Sequence, residues 1–242
     1  MGNNICFELF PRDLIPVILS NVKKSRQYPL LFVSKEINQY VKNEGEIIRN
    51  YFIKKISEHG EFNLLKWARK NGCRWTSWTC LYAAENGHFD ILKWARENGC
   101  EWNSWTCALA VKNGHFDILK WVRENGCEWD PVTCSHAAEN GHFDILKWTR
   151  ENGCKWDPDT CTHAAKNGHF EILKWARENG CEWNFLTCVY AGYHGHFEIL
   201  KWAIENGCDY QYVYNNLNKS NTSKYLEIVE WLDHYKTEST SR

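Results

Sequence analysis

Residues 87–102 read GHFDILKWARENGCEW. Nearly the same words return from Gly114, Gly141, Gly168 and Gly195, each 27 residues on, and a looser copy, GEFNLLKWARKNGCRW, begins at Gly60. Self-similarity at a fixed period of this size marks a stack of short units, each able to bury its apolar side only against its neighbours. Within a unit, Phe89, Ile91, Leu92, Trp94 and Ala95 form a wide apolar arc at about 100° per residue, leaving Asp90, Lys93 and Glu97 as the polar face. An arc that wide suits a helix wedged between the unit before, the unit after and a companion helix of its own. Asn98 and Gly99 stop that helix, because glycine readily takes a positive φ.

The companion helix is expected from Thr79 to about Asn86, with Thr79, Thr106, Thr133, Thr160 and Thr187 as its caps. Cys80, Ala83 and Ala84 are small enough to let the two helices approach closely, and Gly87 breaks the chain into a helical hairpin. The fold class this predicts is all-α, a solenoid of stacked helical hairpins.

The order A-A-x-N-G-H, F-D-I-L-K and E-N-G-C-x-W resembles the ankyrin repeat, with Cys100 at that family's small residue and Trp102 at its aliphatic one. The ankyrin unit has about 33 residues, and the shortfall of about six falls between Trp102 and Thr106, where the family has its protruding hairpin. The array from Gly60 to about Tyr210 therefore resembles a shortened, hairpin-poor variant of the kind found in large DNA viruses and protists. The resemblance implies a protein-binding scaffold.

With 242 residues, 43% hydrophobic and 24% charged, the chain can bury a sizeable core. A net charge of -1 gives no field to attract nucleic acid or an anionic membrane, and neither is expected as a partner. The apolar runs fall far short of the roughly 20 residues a bilayer requires. The start, MGNNICFELF, lacks a signal peptide's pattern, and Cys6 stands where a myristoylation site wants Ser or Thr. An intracellular place, cytoplasmic or nuclear, is the expectation.

Eleven of the twelve cysteines lie in the array, alternately 7 and 20 apart, from Cys73 to Cys208. Zinc pairs favour two to four intervening residues, so these read as small buried packing, and no metal or cofactor is expected. His88, His115, His142, His169 and His196 occupy the interhelical turn, where an imidazole can satisfy backbone groups. Trp94 and Trp102, with their equivalents, read as stacked core. Trp78 and Trp105 differ, because Val132, Asp159 and Leu186 share their slot, and a slot that tolerates aspartate is expected to be exposed.

Residues 1–45 are not repeat. Phe10 to Val41 hold a Pro-bounded helix start with Asp13 in its first turn, an apolar face of Leu14, Ile15, Ile18 and Leu19, and a second apolar run through Leu31, Val33 and Ile37. The order Pro11, Asp13, Leu14, Ile15, Ile18, Leu19, Ser20, then Leu31, Val33, Ser34, Lys35, resembles an F-box, with Phe10 in place of its leading Leu and Ile37 where a Trp is usual. A plain helical cap is the other reading. The resemblance implies docking on the Skp-type linker of a cullin-RING ubiquitin ligase through Pro11, Leu14, Ile15, Ile18, Leu19 and Val33.

Asn43 to His59 is expected as one helix whose end, Ile56 to Gly60, is in register with Ala83 to Gly87. The domains are thus 1–45, the array 46–210 (units near 46–75, 76–102, 103–129, 130–156, 157–183 and 184–210), and 211–242 as a degenerate capping repeat with a frayed tail from Lys236.

The array offers no nucleophile beside a base and no phosphate-binding glycine loop, so no enzyme is expected. Its frame barely changes while two slots of the first helix do, Tyr82, Leu109, His136, His163 and Tyr190 in one and Glu85, Lys112, Glu139, Lys166 and Tyr193 in the other, joined by the loop slot of Trp78 and Trp105. A fixed frame with changing side chains on one strip is how a solenoid presents a binding surface. Two functions follow as expectations for a monomeric chain: an adaptor that brings a target protein to a ubiquitin ligase, or a plain binding module capped by its first residues.

Overall fold

The computed structural model describes residues 46–70, 74–157, 159–217 and 225–239. The F-box-like stretch, with Pro11, Leu14, Ile15, Ile18, Leu19 and Val33, lies outside them. Two compact units divide the chain, Met1–Asn103 and Ser104–Arg242. In the first, α1 (Glu46–His59) pairs with α2 (Phe62–Lys70), α3 (Ser77–Glu85) pairs with α4 (Phe89–Glu97), and α1 lies against α3. In the second, four hairpins follow: α5 (Ser104–Lys112) with α6 (Phe116–Glu124), α7 (Val132–Glu139) with α8 (Phe143–Glu151), α9 (Thr160–Lys166) with α10 (Phe170–Glu178), and α11 (Phe185–His194) with α12 (Phe197–Glu205). The first helices α5, α7, α9 and α11 pack in a row that ends on α13 (Gln211–Leu217), against which α14 (Leu226–Ser239) rests. No strand occurs among the described residues.

Both turns of each repeat are built alike. After α4, Gly99 sits at φ 81°, its N–H donates to Arg96 O at 3.1 Å, and Cys100 N–H reaches back to Ala95 O at 2.9 Å. These two bonds satisfy carbonyls that the helix end would otherwise orphan. Asn98 adds a third, donating its amide Nδ2 to Trp94 O at 2.8 Å, so its side chain closes the helix that its propensity weakens. The turn between α3 and α4 repeats the scheme, with His88 N–H on Ala83 O at 2.8 Å and Asn86 Nδ2 on Tyr82 O at 2.9 Å.

The turn histidine locks one repeat to the one before. Nε2 of His142, His169 and His196 donates to the carbonyls of Lys112, Glu139 and Lys166, at 3.3, 3.1 and 3.0 Å, in the last turn of the preceding first helix. His88 does the same to Glu58 O at 3.0 Å, and this places α1 in register as a repeat helix. A carbonyl can only accept, so Nε2 carries the proton.

The threonines are not caps. Thr79, Thr106, Thr133 and Thr187 lie inside their helices and Thr160 is the first residue of α9; all five are buried. The capping oxygens come three residues earlier: Oδ1 of Asp130, Asp157 and Asn184 accepts from the backbone N–H of Val132, Asp159 and Leu186 at 3.1, 2.9 and 2.8 Å. Asn184→Ala is expected to lower the stability of the chain by about 1 kcal/mol and Asn184→Asp to leave it nearly unchanged, read by urea unfolding.

The core is aliphatic: Ile118, Leu119, Leu146, Leu173 and Leu200 are fully buried in the second unit, as are Leu65, Ile91 and Leu92 in the first. The tryptophans, expected in that core, are half-buried and form a ladder beside it. Trp148 stands edge-on to Phe116 at 5.6 Å and to Trp129 at 5.8 Å, both from the preceding repeat. Trp175 and Trp202 repeat this against Phe143 with Trp156 and Phe170 with Trp183. Cations lie over the outer ring faces, Lys120 on Phe116 at 4.0 Å and Arg123 on Trp129 at 4.3 Å. A ring whose rim touches water and whose face holds a cation does not belong in an aliphatic interior.

At the far end, the expected tail is helical instead as far as Ser239, since no glycine or proline follows Trp231 to stop α14.

Candidate functional site

The slots that vary among repeats fall at i, i+4 and i+7 of each first helix, which is one face. In the first unit this face belongs to α3. Trp78 is 56% exposed and stacks on Tyr82 with centroids 5.8 Å apart. Lys54 Nζ lies 4.5 Å over the Tyr82 ring, and Glu85 is half-buried one turn further on. The exposure expected for Trp78 is thus observed, and α1 supplies Lys54, which the comparison of repeats missed because α1 is a divergent copy.

In the second unit the row of first helices brings the remaining positions into one strip. Trp105, Leu109 and Lys112 lie on α5, His136 on α7, His163 on α9, and Tyr190 with Tyr193 on α11. Trp105 is 48% exposed, Tyr193 is exposed at 39%, and Leu109, His136, His163 and Tyr190 are half-buried. Lys166 Nζ lies 5.9 Å over Tyr190, and His194, which the sequence comparison did not single out, lies 6.2 Å from the same ring and stacks on His196 at 6.5 Å.

Two side chains in the middle of the strip are under-satisfied. Glu139 Oε2 comes within 3.5 Å of His136 Nδ1, a loose electrostatic contact, and neither ring nitrogen of His136 has a hydrogen-bond partner within the protein. Nδ1 of His163, in the same slot one repeat on, also lacks one. Buried polar atoms are normally paired, so these closed-off nitrogens are exceptions within the strip.

Phe185 and Tyr212 extend the aromatic surface at the end of the second unit, at 44% and 52% exposure with centroids 5.9 Å apart. Phe185 also edges a 390 Å³ open pocket with Arg177, Trp183 and Asp209. The signal is present in the sequence, because the slot before Trp78 runs Ser77, Ser104, Pro131, Pro158, Phe185 and turns aromatic only in the last repeat.

Among the described residues, no cluster of three or more His, Cys, Asp or Glu is arranged to hold a metal, and no helix is long and apolar enough to cross a membrane. The arrangement is suited to recognition: exposed aromatic rings and a few charges on a stiff helical frame.

Comparison with known proteins agrees with this frame. Residues 80–123 and 134–177 match the family model described as ankyrin repeats in many copies. Among solved structures, the crystal structure of the human ASB11 ankyrin repeat domain is similar, with a TM-score of 0.52 at 15% identity, covering 66% of this chain and 85% of that one. At that identity the likeness is one of fold. No curated protein matches the chain.

Proposed function

We propose that this chain, whose residues 80–123 and 134–177 match ankyrin repeats, is a non-catalytic adaptor whose array binds a target protein through the varying faces of its first helices. The observation that carries the reading is the variation itself. Trp78, Tyr82 and Glu85 on α3, with Trp105, Leu109, Lys112, His136, His163, Tyr190 and Tyr193 in the second unit, vary on a frame whose turns do not. Exposed tryptophan and tyrosine are the residues that most often dominate binding energy at protein interfaces. The repeats are read as ankyrin units shortened at the hairpin, since Asn103 alone separates Trp102 from α5.

The first 45 residues are read as an F-box that docks on the Skp-type linker of a cullin-RING ligase, leaving any bound target near the ligase. In this reading the chain is an intracellular monomer with no nucleic-acid or membrane partner and no cofactor. Pull-down from a eukaryotic lysate is expected to recover linker and cullin, and Leu14→Asp with Ile18→Asp is expected to lose both without changing the helical circular dichroism. A second reading, a plain binding module, is favoured by Phe10 and Ile37, the two departures from the F-box pattern. Recovery of other proteins and never the linker would leave that reading standing alone.

Once a target is in hand, Trp78→Ala with Tyr82→Ala is expected to weaken its binding about 30-fold, the scale of a hot-spot loss near 2 kcal/mol. Unchanged affinity in that variant, measured by calorimetry, would remove the α3 face from the interface.

A further inference from the structure

The 390 Å³ pocket at the end of the second unit differs from the corresponding places in earlier repeats in three ways, and all three point to one kind of ligand. The first is an indole without its usual bond. Trp129 Nε1 donates to Asn152 O and Trp156 Nε1 to Asn179 O, each at 3.1 Å, whereas Trp183, the same residue one repeat on, makes no such bond among the described residues. Trp183 forms part of the pocket wall, so its N–H is a donor for an acceptor that comes from outside.

The second difference is charge. Glu182 and Asp209 line the pocket against one guanidinium, that of Arg177, whose Nη1 donates to Cys181 O at 3.1 Å and whose Cζ lies 4.5 Å over the Trp183 ring. One repeat earlier, Arg150 and Lys155 balance Asp157 and Glu182, and Arg177 adds a further cation through Cys181 O. Two repeats earlier, Arg123, Lys155 and Arg150 outnumber Glu128 and Asp130. At the last pocket Ile204 takes the place of the further arginine, so of these three only this one has more carboxylates than cations. Asp209 is held at the rim by its Oδ1, which accepts from Gln211 N–H at 2.9 Å, and Oδ2 is the oxygen for a second donor.

The third difference is a ring. Phe185 lines the pocket at 44% exposure, where Pro131 and Pro158 hold the slot in the two repeats before. An aromatic face beside carboxylates suits a guanidinium, whose plane stacks on the ring while its fork of N–H groups meets the oxygens. An ammonium, a compact point charge, answers the charge but not the shape.

We propose that this pocket receives an arginine side chain from an extended segment of a partner protein, the guanidinium lying on Phe185 between Glu182 and Asp209 and a neighbouring peptide carbonyl accepting from the Trp183 indole. The segment is extended because a carbonyl within a helix already has its donor. The proposal rests on the reading of the array as a protein-binding scaffold and gives that scaffold a subsite of stated chemistry.

The test is titration of the nitrogen-15-labelled full chain with the peptide acetyl-Gly-Arg-Gly-amide, followed at the indole N–H resonance that disappears in Trp183→Phe. A saturable shift of that resonance is expected. Citrulline in place of the arginine, which keeps the shape and removes the charge, is expected to weaken binding about tenfold, and lysine about fivefold. Glu182→Gln with Asp209→Asn, in which the asparagine still caps Gln211, should cost the arginine peptide about tenfold and leave the citrulline peptide unchanged. Phe185→Pro should weaken the arginine peptide about fivefold. No shift, equal binding of the arginine and citrulline peptides, free arginine binding as tightly as the peptide, or indifference to the Glu182 and Asp209 changes would each overturn the proposal. A chain that takes the peptide at Trp183 but captures no protein would support the subsite and count against the scaffold, whereas a captured target whose affinity ignores the Glu182 and Asp209 changes would do the reverse.

Discussion

Gly141→Ala is expected to destabilise the chain by about 3 kcal/mol, far more than an alanine at a surface turn should. Part of the cost is backbone strain, since Gly141 holds φ at 77°, and a Cβ in that region costs about 1 kcal/mol or more. The rest is contact. An added Cβ would come 2.8 Å from Cε1 of His169, the ring that reaches back from the next repeat to donate to Glu139 O. That ring must shift, and its hydrogen bond, worth about 1 kcal/mol, goes with it. Gly153→Ala separates the two parts, because Gly153 has φ 86° with nothing within 4 Å of the added atom, so strain of about 1 kcal/mol is all it should show. In a His169→Ala background the cost of Gly141→Ala should fall toward that of Gly153→Ala. Equal losses for the two glycines in urea unfolding would mean that the histidine wedge contributes nothing.

Trp148→Ala is expected to cost a similar amount, about 3 kcal/mol, from lost apolar burial together with two ring contacts of about 0.5–1.5 kcal/mol each. Trp148 joins α8 to the repeat before it through Phe116 and Trp129, so its loss falls on an interface between repeats. Trp148→Phe should recover roughly half, since a smaller ring still meets Phe116 but withdraws from Trp129. The readout is the urea midpoint of each variant. A midpoint for Trp148→Ala within error of the unaltered chain would show that the ladder is decoration on the aliphatic core.

Both effects arise between repeats, and this is where reading the sequence falls short. The period, the pairing of helices and the glycine stops are legible because they are local: an apolar arc, an Asn-Gly end and a fixed interval suffice. The caps were misread because Thr79 and its equivalents look like cap residues. The oxygens that cap are those of Asp130, Asp157 and Asn184, in a slot where the chain alternates among polar types. The tryptophans were placed too deep because an aromatic stripe at repeat spacing carries no sign of whether water reaches its rim. The wedge between Gly141 and His169 was hidden because each residue explains itself as part of a turn, and only packing shows that one leaves room for the other. The strip on the first helices was found from side-chain variation alone. That both ring nitrogens of His136 and Nδ1 of His163 are buried without a hydrogen-bond partner needed coordinates.

The glycine and histidine joints have a genealogical consequence. Gly114 with His142, Gly141 with His169 and Gly168 with His196 meet in the same way, so a copying slip that duplicated or dropped a whole period would splice one joint onto an identical one. A lineage could thus gain or lose reach in 27-residue steps without passing through an unstable ancestor, and could afterwards alter the few outward residues of each new copy independently.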